Sequence, residues 1–235
     1  KATIAFIFDS ADRPMSSPMR VVVLASGRGS NLHALIAAER VGQLPIRIVG
    51  VLSDKPAAKA LQLAAEAGIP ALAVDPRTSA NRLEFDQKLF AEVEALDAQL
   101  VVLAGFMRIL DPIAFEPWLG RIINIHPSLL PRYAGLHTHR RALGAGDREH
   151  GASVHFVTPE LDGGPVVLQA RVPIVAGDDE ASLAARVLRE EHVIYPRCIG
   201  WFAAGRLAFR DGAAWLDGKR LDAPVVCGCE TKEGA

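Results

Sequence analysis

The stretch that decides the fold is Val21-Val-Val-Leu-Ala25-Ser-Gly-Arg-Gly-Ser-Asn31. Its first half is an unbroken apolar run, which predicts a buried strand, and the glycines that follow predict a tight loop after that strand. Leu32, Leu35 and Ile36 then recur at the spacing of one helix face. A strand, a glycine loop and a helix in this order are typical of the first unit of an α/β sheet.

The same alternation continues toward the middle of the chain. Further strands are predicted at residues 46–52, 71–74, 100–104 and 121–125, and helices at residues 57–67, at residues 81–96 and from residue 111 onward. Strands that alternate with helices favour parallel pairing, because each helix carries the chain back across the sheet. We therefore expect a Rossmann-like α/β fold with a mostly parallel, twisted sheet and helices on both faces.

The pattern changes after Pro131. Residues 132–147 are polar and rich in glycine, which favours a functional loop around a short helix. Residues 151–157 and 166–174 form two strand-like segments close together in the sequence, so they predict antiparallel strands added in the C-terminal half. A long helix is predicted at residues 179–204.

The composition is that of a globular protein without a strong electrostatic preference. Of the 235 residues, 50% are hydrophobic and 23% are charged, and the formal net charge is -1. A chain so close to neutral has no basic footprint for nucleic acid or an anionic membrane, so small molecules are the expected partners. Cys198, Cys227 and Cys229 are not a disulfide framework, which favours the reducing cytoplasm.

The glycine loop at residues 26–31 is a candidate phosphate site. It opens a helix, where backbone N–H groups and the helix dipole both favour an anion. Ser30 and Asn31 favour a single phosphate monoester, because Leu32 stands where dinucleotide-binding loops have a third glycine. Asp54, after the second strand, keeps a dinucleotide site open, and a purely structural turn is the third alternative.

Asn124 and His126 form a second candidate site, in the stretch Ile122-Ile-Asn-Ile-His-Pro127. Residues two apart on a strand point to the same face, with their backbones roughly 7 Å apart. An amide and an imidazole placed in this way can both donate to one oxyanion, as acyl transfer through a tetrahedral intermediate requires. The alternative is an ordinary polar pair at a strand end, but parallel sheets bind ligands at this end of their strands.

A carboxylate beside His126 would favour the protonated ring, which is the better hydrogen-bond donor. Asp162, in a loop rich in glycine and proline, is one candidate. Asp147 and Asp178 have an equal claim from the residues alone, and a simple turn is the ordinary role of such an aspartate.

No metal site is expected. His137-Thr138-His139 and Cys227-Gly228-Cys229 each offer two ligands without an evident third, whereas catalytic zinc needs three and structural zinc four.

The stretch Ala104-Gly-Phe-Met-Arg-Ile-Leu110 follows a predicted strand. Its glycine, apolar side chains and single cation could line a pocket for a flat aromatic ligand or could be ordinary core. Periodicity does not separate these two interpretations.

Six motifs of the chain, taken in order, resemble those of phosphoribosylglycinamide formyltransferases, a family of folate-dependent enzymes. They are Ser26-Gly-Arg-Gly-Ser-Asn31, Ala104-Gly-Phe-Met-Arg-Ile-Leu110, Asn124-Ile-His-Pro-Ser-Leu-Leu-Pro131, Gly135-Leu-His-Thr-His-Arg140, Glu160-Leu-Asp-Gly-Gly-Pro165 and Glu191-His192. The similarity extends from about Arg20 to Leu221. Any single motif would be weak, but six in register are specific.

The resemblance implies a transferase of de novo purine biosynthesis. A formyl group would pass from 10-formyltetrahydrofolate, the co-substrate, directly to the amine of N-(5-phosphoribosyl)glycinamide. No metal and no covalent enzyme intermediate are implied. The expected assembly is a monomer or a homodimer, without nucleic acid or membrane as a partner.

The resemblance also implies roles for individual residues. Gly29, Ser30 and Asn31 would bind the ribonucleotide phosphate, and Glu191 would bind the glycinamide end of that substrate. The folate site would consist of Arg82, Met107, Arg108, Ile109, Leu110, Asn124, Thr158, Pro159, Glu160, Leu161 and Asp162. Asn124 and protonated His126 would stabilise the oxyanion, while Asp162 would keep the imidazole charged and relay a proton through water.

One position departs from the family pattern. The family has a glutamine three residues before the substrate-binding glutamate, and this chain has Leu188 there. The departure affects one expected substrate contact and leaves the catalytic set intact.

Two rival functions remain at this point. Related folate proteins hydrolyse 10-formyltetrahydrofolate or formylate an aminoacyl-tRNA with a similar catalytic set, but the phosphate loop argues against both, and the hydrolase would carry an extra domain before Val21. A non-catalytic dinucleotide sensor would use the loop and Asp54, yet it leaves the paired Asn124 and His126 unexplained.

The expected domain organisation follows from the same motifs. Residues 19–221 are predicted to form one formyltransferase domain, with a phosphate-binding half at about 19–120 and a folate-binding and catalytic half at about 121–221. Residues 1–18, which begin with lysine, are expected to be a poorly ordered leader or cloning-derived segment. Residues 222–235 are expected to be a flexible tail.

Overall fold

The computed structural model describes residues 17–227 of the chain. The predicted leader, apart from Ser17 and Pro18, lies outside the described residues, and so does the predicted tail after Cys227. Within residues 17–227, no helix has the length and apolar character needed to cross a membrane.

Strands and helices alternate in the first part of the described chain. The elements are β1 (Met19–Leu24), α1 (Ser30–Arg40), β2 (Ile46–Ser53), α2 (Lys59–Glu66), β3 (Ala71–Ala73), α3 (Arg82–Ala95), β4 (Leu100–Leu103), α4 (Pro112–Phe115) and β5 (Ile122–His126). The second part contains α5 (Thr138–Gly144), β6 (Glu149–Phe156), β7 (Val166–Pro173), α6 (Glu180–Ala203), β8 (Leu207–Arg210), β9 (Ala213–Leu216), β10 (Lys219–Arg220) and β11 (Val225–Cys227).

Eight of these strands form one mixed sheet in the order β11-β7-β6-β5-β4-β1-β2-β3. β3, β2, β1, β4 and β5 are parallel to one another, whereas β6 pairs antiparallel with β5 and β7 pairs antiparallel with β6. A separate antiparallel sheet has the order β10-β9-β8. The predicted Rossmann-like fold, with antiparallel strands added in the C-terminal half, is confirmed.

Apolar side chains fill both faces of the large sheet. One cluster contains Val23 and Ile199 and joins the sheet to α1, α2 and α6, while a second contains Val22 and Leu89 and joins it to α3 and α4. Val22 and Val23 belong to opposite clusters because successive side chains on a strand point to opposite faces. A strand buried on both faces requires the continuous apolar run seen in the sequence.

The prediction of a flexible tail from residue 222 is wrong for the residues that the structure describes. Val225–Cys227 form β11, which pairs with β7 and places Val225 opposite Leu168. Arg197 Nη1 also lies 3.1 Å from Cys227 Sγ. The physical reason is that β7 would otherwise expose unpaired backbone groups at the sheet edge, and a short run with two valines covers them.

The hydroxyl of Tyr195 contacts the two central strands of the large sheet. Tyr195 extends from α6, is fully buried, and lies with its oxygen 2.8 Å from the carbonyl oxygen of Leu103 and 2.9 Å from that of Ile123. These carbonyls belong to β4 and β5 respectively. The side chain therefore ties α6 to the carboxyl end of β4 and to the first half of β5.

The Tyr195→Phe substitution removes only this hydroxyl. We expect the free energy of unfolding to fall by about 1–3 kcal/mol, because two buried carbonyls lose a donor while the ring still fills its place. Chemical denaturation of the two proteins measures the difference. An unchanged unfolding free energy would show that the hydroxyl does not hold the strands.

Candidate active site

β5 presents two polar side chains at its carboxyl end. Asn124 and His126 are two residues apart on this strand, and both are placed against the antiparallel neighbour β6, where their partners in register are His155 and Ser153. His126 is the last residue of the strand and is 6% exposed. The predicted location at a strand end of the parallel sheet is confirmed.

Both ring nitrogens of His126 face hydrogen-bond acceptors. Nε2 lies 3.0 Å from the carbonyl oxygen of Tyr133, and Nδ1 lies 3.4 Å from Oδ2 of Asp162. A carbonyl and a carboxylate only accept, so each nitrogen needs a proton to make a favourable contact. Both contacts can therefore be hydrogen bonds only when the ring carries both protons.

Asp162 reaches His126 from the loop between β6 and β7. Its φ of 50° lies in the left-handed region, which aspartate tolerates better than most residues. Its Oδ2 also accepts a hydrogen bond from the backbone N–H of Gly135 at 2.8 Å. A Cβ at Gly164 would overlap the carbonyl oxygen of Phe156. The loop can therefore lie this close to β6 only because residue 164 is a glycine.

The structure distinguishes Asp162 from the other two candidate carboxylates. Asp147 is bound by Arg132, and Asp178 is bound by Arg186 near the start of α6. The sequence could not rank the three, because the choice depends on how the β6–β7 loop folds back over the end of β5.

His155 is a site residue that sequence reasoning missed. It lies directly opposite Asn124 in the β5–β6 pair, and Asn124 Nδ2 is 3.1 Å from His155 Nε2. Nε2 also lies 3.7 Å from Oδ1 of Asp162. The sequence did not indicate His155 because the pairing register of β5 and β6 decides which side chains are neighbours, and that register cannot be read from either segment alone.

The protonation of His155 is opposite to that favoured for His126. Its Nδ1 donates to the carbonyl of Phe156 at 2.9 Å, which leaves Nε2 as an acceptor for the amide of Asn124. Burial lowers the pKa of His155 and keeps the ring neutral. A neutral His155 thus orients the Asn124 amide so that Nδ2 of Asn124 faces the imidazole of His155.

The phosphate loop has the geometry of an anion site. Gly29 precedes α1 with a φ of 77°, and a Cβ there would lie 3.0 Å from Cα of Ala60, so only glycine lets the loop pack on α2. The first helical hydrogen bond runs from His33 N to Gly29 O. The N–H groups before His33, including those of Ser30 and Asn31, have no acceptor within the helix.

Asn31 and Glu191 meet beside this loop. Asn31 Nδ2 donates to Glu191 Oε2 at 2.7 Å, and both residues are buried. Burial raises the pKa of Glu191, and the hydrogen bond from Asn31 opposes this shift. The contact brings together two residues predicted to bind one substrate, and it uses one of the two N–H donors of the Asn31 amide.

Asp54 is turned inward, toward the glycine loop. Its Oδ1 accepts from the hydroxyl of Ser26, and that hydroxyl accepts from the N–H of Met107 at 2.8 Å. The N–H of Ser26 donates to Gly105 O at 3.0 Å. An acidic residue at the end of the second strand had kept a dinucleotide site open as an alternative. The Asp54 carboxylate is buried and bound by Ser26, so it does not present an exposed acidic group to a ligand.

A cleft of about 540 Å³ opens beside Asn124 and Asp162. The predicted folate residues that line it are Arg108, Ile109, Leu110, Asn124, Thr158, Pro159, Glu160, Leu161 and Asp162. The lining residues that the sequence did not indicate are Leu103, Phe115, His155 and Val157, while Phe106 belongs to the stretch 104–110 that could be either pocket or core. Two loops, residues 106–111 and 158–162, thus form its walls.

Arg82 and Met107 are not among the residues that line this cleft. Met107 is 62% exposed, and Arg82 lies on α3 with its guanidinium 3.2 Å from the carboxylate of Asp111. The resemblance implied that both residues belong to the folate site, and in the structure neither of them lines the cleft.

His139, in the 132–147 loop, contacts a histidine of β6. His139 Nδ1 lies 3.1 Å from Nε2 of His150. Burial lowers the pKa of His150 to about 4 and also lowers the pKa of His139, so the two rings meet in their neutral forms. Between residues 17 and 227, no three His, Cys, Asp or Glu side chains are grouped to hold a metal ion.

Comparisons with known proteins agree with this geometry. The family described as Formyl transferase matches residues 19–199. The chain is 52% identical over 203 residues to a phosphoribosylglycinamide formyltransferase of Escherichia coli (strain K12), which covers 86% of this chain and 96% of that protein.

Solved structures show the same relationship. The phosphoribosylglycinamide formyltransferase of Coxiella burnetii superposes with a TM-score of 0.86 at 45% identity, over 89% of this chain and 99% of that one. A formyltetrahydrofolate deformylase from Pseudomonas syringae pv. tomato gives a TM-score of 0.79 at 25% identity, over 86% of this chain and 66% of that one. The chain belongs to the phosphoribosylglycinamide formyltransferase family.

Proposed function

We propose that the protein transfers the formyl group of 10-formyltetrahydrofolate to the amine of N-(5-phosphoribosyl)glycinamide, with Asn124, His126 and Asp162 as the catalytic residues. The products are formylglycinamide ribonucleotide and tetrahydrofolate. The observation that carries the assignment of residues is the convergence of these three side chains at one end of β5, beside the cleft. The reaction itself is that of the Escherichia coli relative.

Two neighbouring regions would hold the substrates. The phosphate of the ribonucleotide would meet the N–H groups at the start of α1, with Gly29 and Ser30 in the loop and Glu191 at the glycinamide end. The formyl folate would lie in the cleft between residues 106–111 and 158–162. Met107 is exposed and the side chain of Arg82 is half exposed, so both would contact the part of the folate that projects toward solvent.

In the proposed transfer, the amine nitrogen attacks the formyl carbon and a tetrahedral oxyanion forms. Asn124 Nδ2 and Nε2 of His126 donate hydrogen bonds to that oxyanion. The bond between the formyl carbon and N10 of the folate then breaks. While the oxyanion forms, the charge of Asp162 stabilises the imidazolium of His126. The proton lost by the amine then passes through water and Asp162 to N10, and Asp162 is left ionised again.

The hydrogen bond from His126 to Tyr133 has a direct role in this scheme. The Nε2 proton that would serve the oxyanion is donated to a backbone carbonyl in the structure. The formyl oxygen would therefore replace the Tyr133 carbonyl as the acceptor. Tyr133 itself has a φ of 58°, a left-handed conformation that non-glycine residues seldom adopt, so the loop is held there by its contacts.

We also infer that residues 19–221 act as one formyltransferase domain, with the phosphate-binding half at about 19–120 and the folate-binding and catalytic half at about 121–221. β11 extends the sheet beyond that range. A cytoplasmic monomer or homodimer whose only ligands are the two substrates is the assembly that fits the near-neutral charge of the chain.

The function is tested by following the loss of 10-formyltetrahydrofolate spectroscopically, with and without the ribonucleotide acceptor. We expect turnover only when the acceptor is present, with one formylglycinamide ribonucleotide formed for each folate consumed. Equal loss of the folate without the acceptor would identify a hydrolase, the activity named for the Pseudomonas syringae protein, and would overturn the proposal.

The catalytic assignment predicts the effect of two substitutions. His126→Ala and Asp162→Asn should each lower kcat by about 100-fold or more, because one removes an oxyanion donor and the other removes the charge that supports it. Steady-state kinetics with both substrates saturating measures the effect. Asp178→Asn is the matched control, since that buried carboxylate binds Arg186 outside the cleft and should leave kcat within about twofold. A kcat near the wild-type value in either active-site variant would contradict the assigned roles.

A further inference from the structure

One face of α3 supports the loop at residues 106–111 that forms a wall of the cleft. Arg82, Phe85 and Asp86 lie on the same side of the helix, because positions i, i+3 and i+4 share a face. Arg82 contacts the carboxylate of Asp111 at 3.2 Å, and the guanidinium of Arg108 lies 4.4 Å from the centre of the Phe85 ring. The contact of Asp86 is to the backbone: its Oδ2 accepts from the N–H of Asp111 at 2.7 Å.

Asp86 is an unusual group for such a position. It is fully buried, and its second oxygen, Oδ1, has no hydrogen-bond partner among the described residues. Burial raises the pKa of Asp86 to about 6, while the hydrogen bond from Asp111 N and the charges of Arg108 and Arg82 oppose the shift, and the Asp111 charge adds to it. The carboxyl is thus ionised at neutral pH at a cost in stability, and an apolar residue there would avoid that cost.

The opposite end of the same loop is held in a comparable way. The N–H of Met107 donates to Ser26 Oγ, which is itself bound to the buried Asp54. Asp54 holds the N–H of Met107 through the hydroxyl of Ser26, whereas Asp86 accepts directly from the N–H of Asp111. Arg108, Ile109 and Leu110, which face the cleft, lie between these two fixed points.

The Asp86 contact is not needed to begin the next helix. α4 has its own N-cap, because Asp111 Oδ1 accepts from the N–H of Ile113 at 3.1 Å. The hydrogen bond from Asp111 N to Asp86 therefore sets where the loop and the helix lie relative to α3, rather than whether the helix forms.

We propose that Asp86 is a positioning residue for the formyl folate: its buried carboxylate fixes residue 111, and so gives residues 108–110 the conformation that binds the ligand. The inference rests on the proposed function. A loop already held in its bound form loses less conformational freedom on binding, so the folate is bound more tightly than by a loop fixed at one end only. Asp86 does not touch the ribonucleotide site, so its effect is specific to one substrate.

The binding test uses Asp86→Ala, Asp86→Asn and the wild-type protein. Titration with 10-formyltetrahydrofolate alone, followed by intrinsic fluorescence, measures Kd without turnover. We expect Asp86→Ala to raise this Kd by about tenfold, because the Asp111 N–H loses its acceptor, and Asp86→Asn to stay within about threefold, because an amide oxygen still accepts. The Kd for the ribonucleotide and kcat at saturation should stay within about twofold in both variants.

Two further proteins separate positioning from general destabilisation. Asp178→Ala removes a carboxylate that binds Arg186 far from the cleft and should leave the folate Kd unchanged. If Asp86→Ala does not fold, Asp86→Leu, which matches the side chain in shape and lacks an acceptor, should show the same loss. An unchanged folate Kd in the Ala or Leu variant, or an equal weakening of both substrates, overturns the proposal. Wild-type protein that binds no formyl folate would instead overturn the proposed function itself.

The pH dependence of stability provides an independent prediction. The folded-state pKa of Asp86 is raised to about 6, and the charged groups near it are Arg82, Arg108 and Asp111. A raised pKa stabilises the fold at low pH, and this stabilisation is lost as pH rises through about 6. Asp86→Asn should therefore unfold at a higher temperature than the wild type at pH 7, and the difference should disappear near pH 4. A difference in unfolding temperature that is the same at both pH values would show that Asp86 is not ionised in the folded protein.

Discussion

The site depends on the alignment of two parallel strands at their carboxyl ends. β5 ends in Asn124 and His126, and β4 leads into residues 106–111, so the cleft exists only if these ends lie side by side. The hydroxyl of Tyr195 bridges their carbonyls from α6. Glu191 lies one turn earlier on that helix and meets Asn31. One helix, α6, thus contacts both the predicted ribonucleotide site and the strand that carries Asn124 and His126.

Two histidines a few ångströms from one carboxylate have opposite electrostatic surroundings. His126 has acceptors at both nitrogens, whereas buried His155 uses one nitrogen as a donor to a backbone carbonyl and the other as an acceptor for an amide. A cation and a neutral ring can then coexist beside Asp162. In the proposed mechanism, the neutral ring orients the amide donor and the charged ring supplies the second donor, so neither group needs to change its protonation before the substrate arrives.

Local patterns in the sequence predicted those features that depend on neighbouring residues. The apolar run before Ser26 predicted a buried strand, and the spacing of Asn124 and His126 predicted a pair at a strand end. Contacts across the fold were out of reach: Asp162 could not be chosen over Asp147 until the β6–β7 loop was placed. The pairing of Val225–Cys227 with β7 was missed because the polar residues that follow dominate the composition of the tail. The role of His155 depends on the register of β5 and β6, and that of Asp86 depends on the orientation of α3. Neither is specified by a single segment of the sequence.

The carbonyl of Tyr133 has a thermodynamic consequence for the charged imidazole. A cation that is shielded from water normally loses its hydration before a ligand can take the place of the water, and this desolvation raises the free-energy barrier. In the proposed mechanism, the Tyr133 carbonyl oxygen, 3.0 Å from Nε2 of His126, takes the place of solvent, and the arriving formyl oxygen would exchange with it one for one. The number of hydrogen bonds to the ring is the same before and after the exchange. What the transition state adds is negative charge on the incoming oxygen, and the free-energy gain at this ring therefore comes from the chemical step rather than from the binding that precedes it.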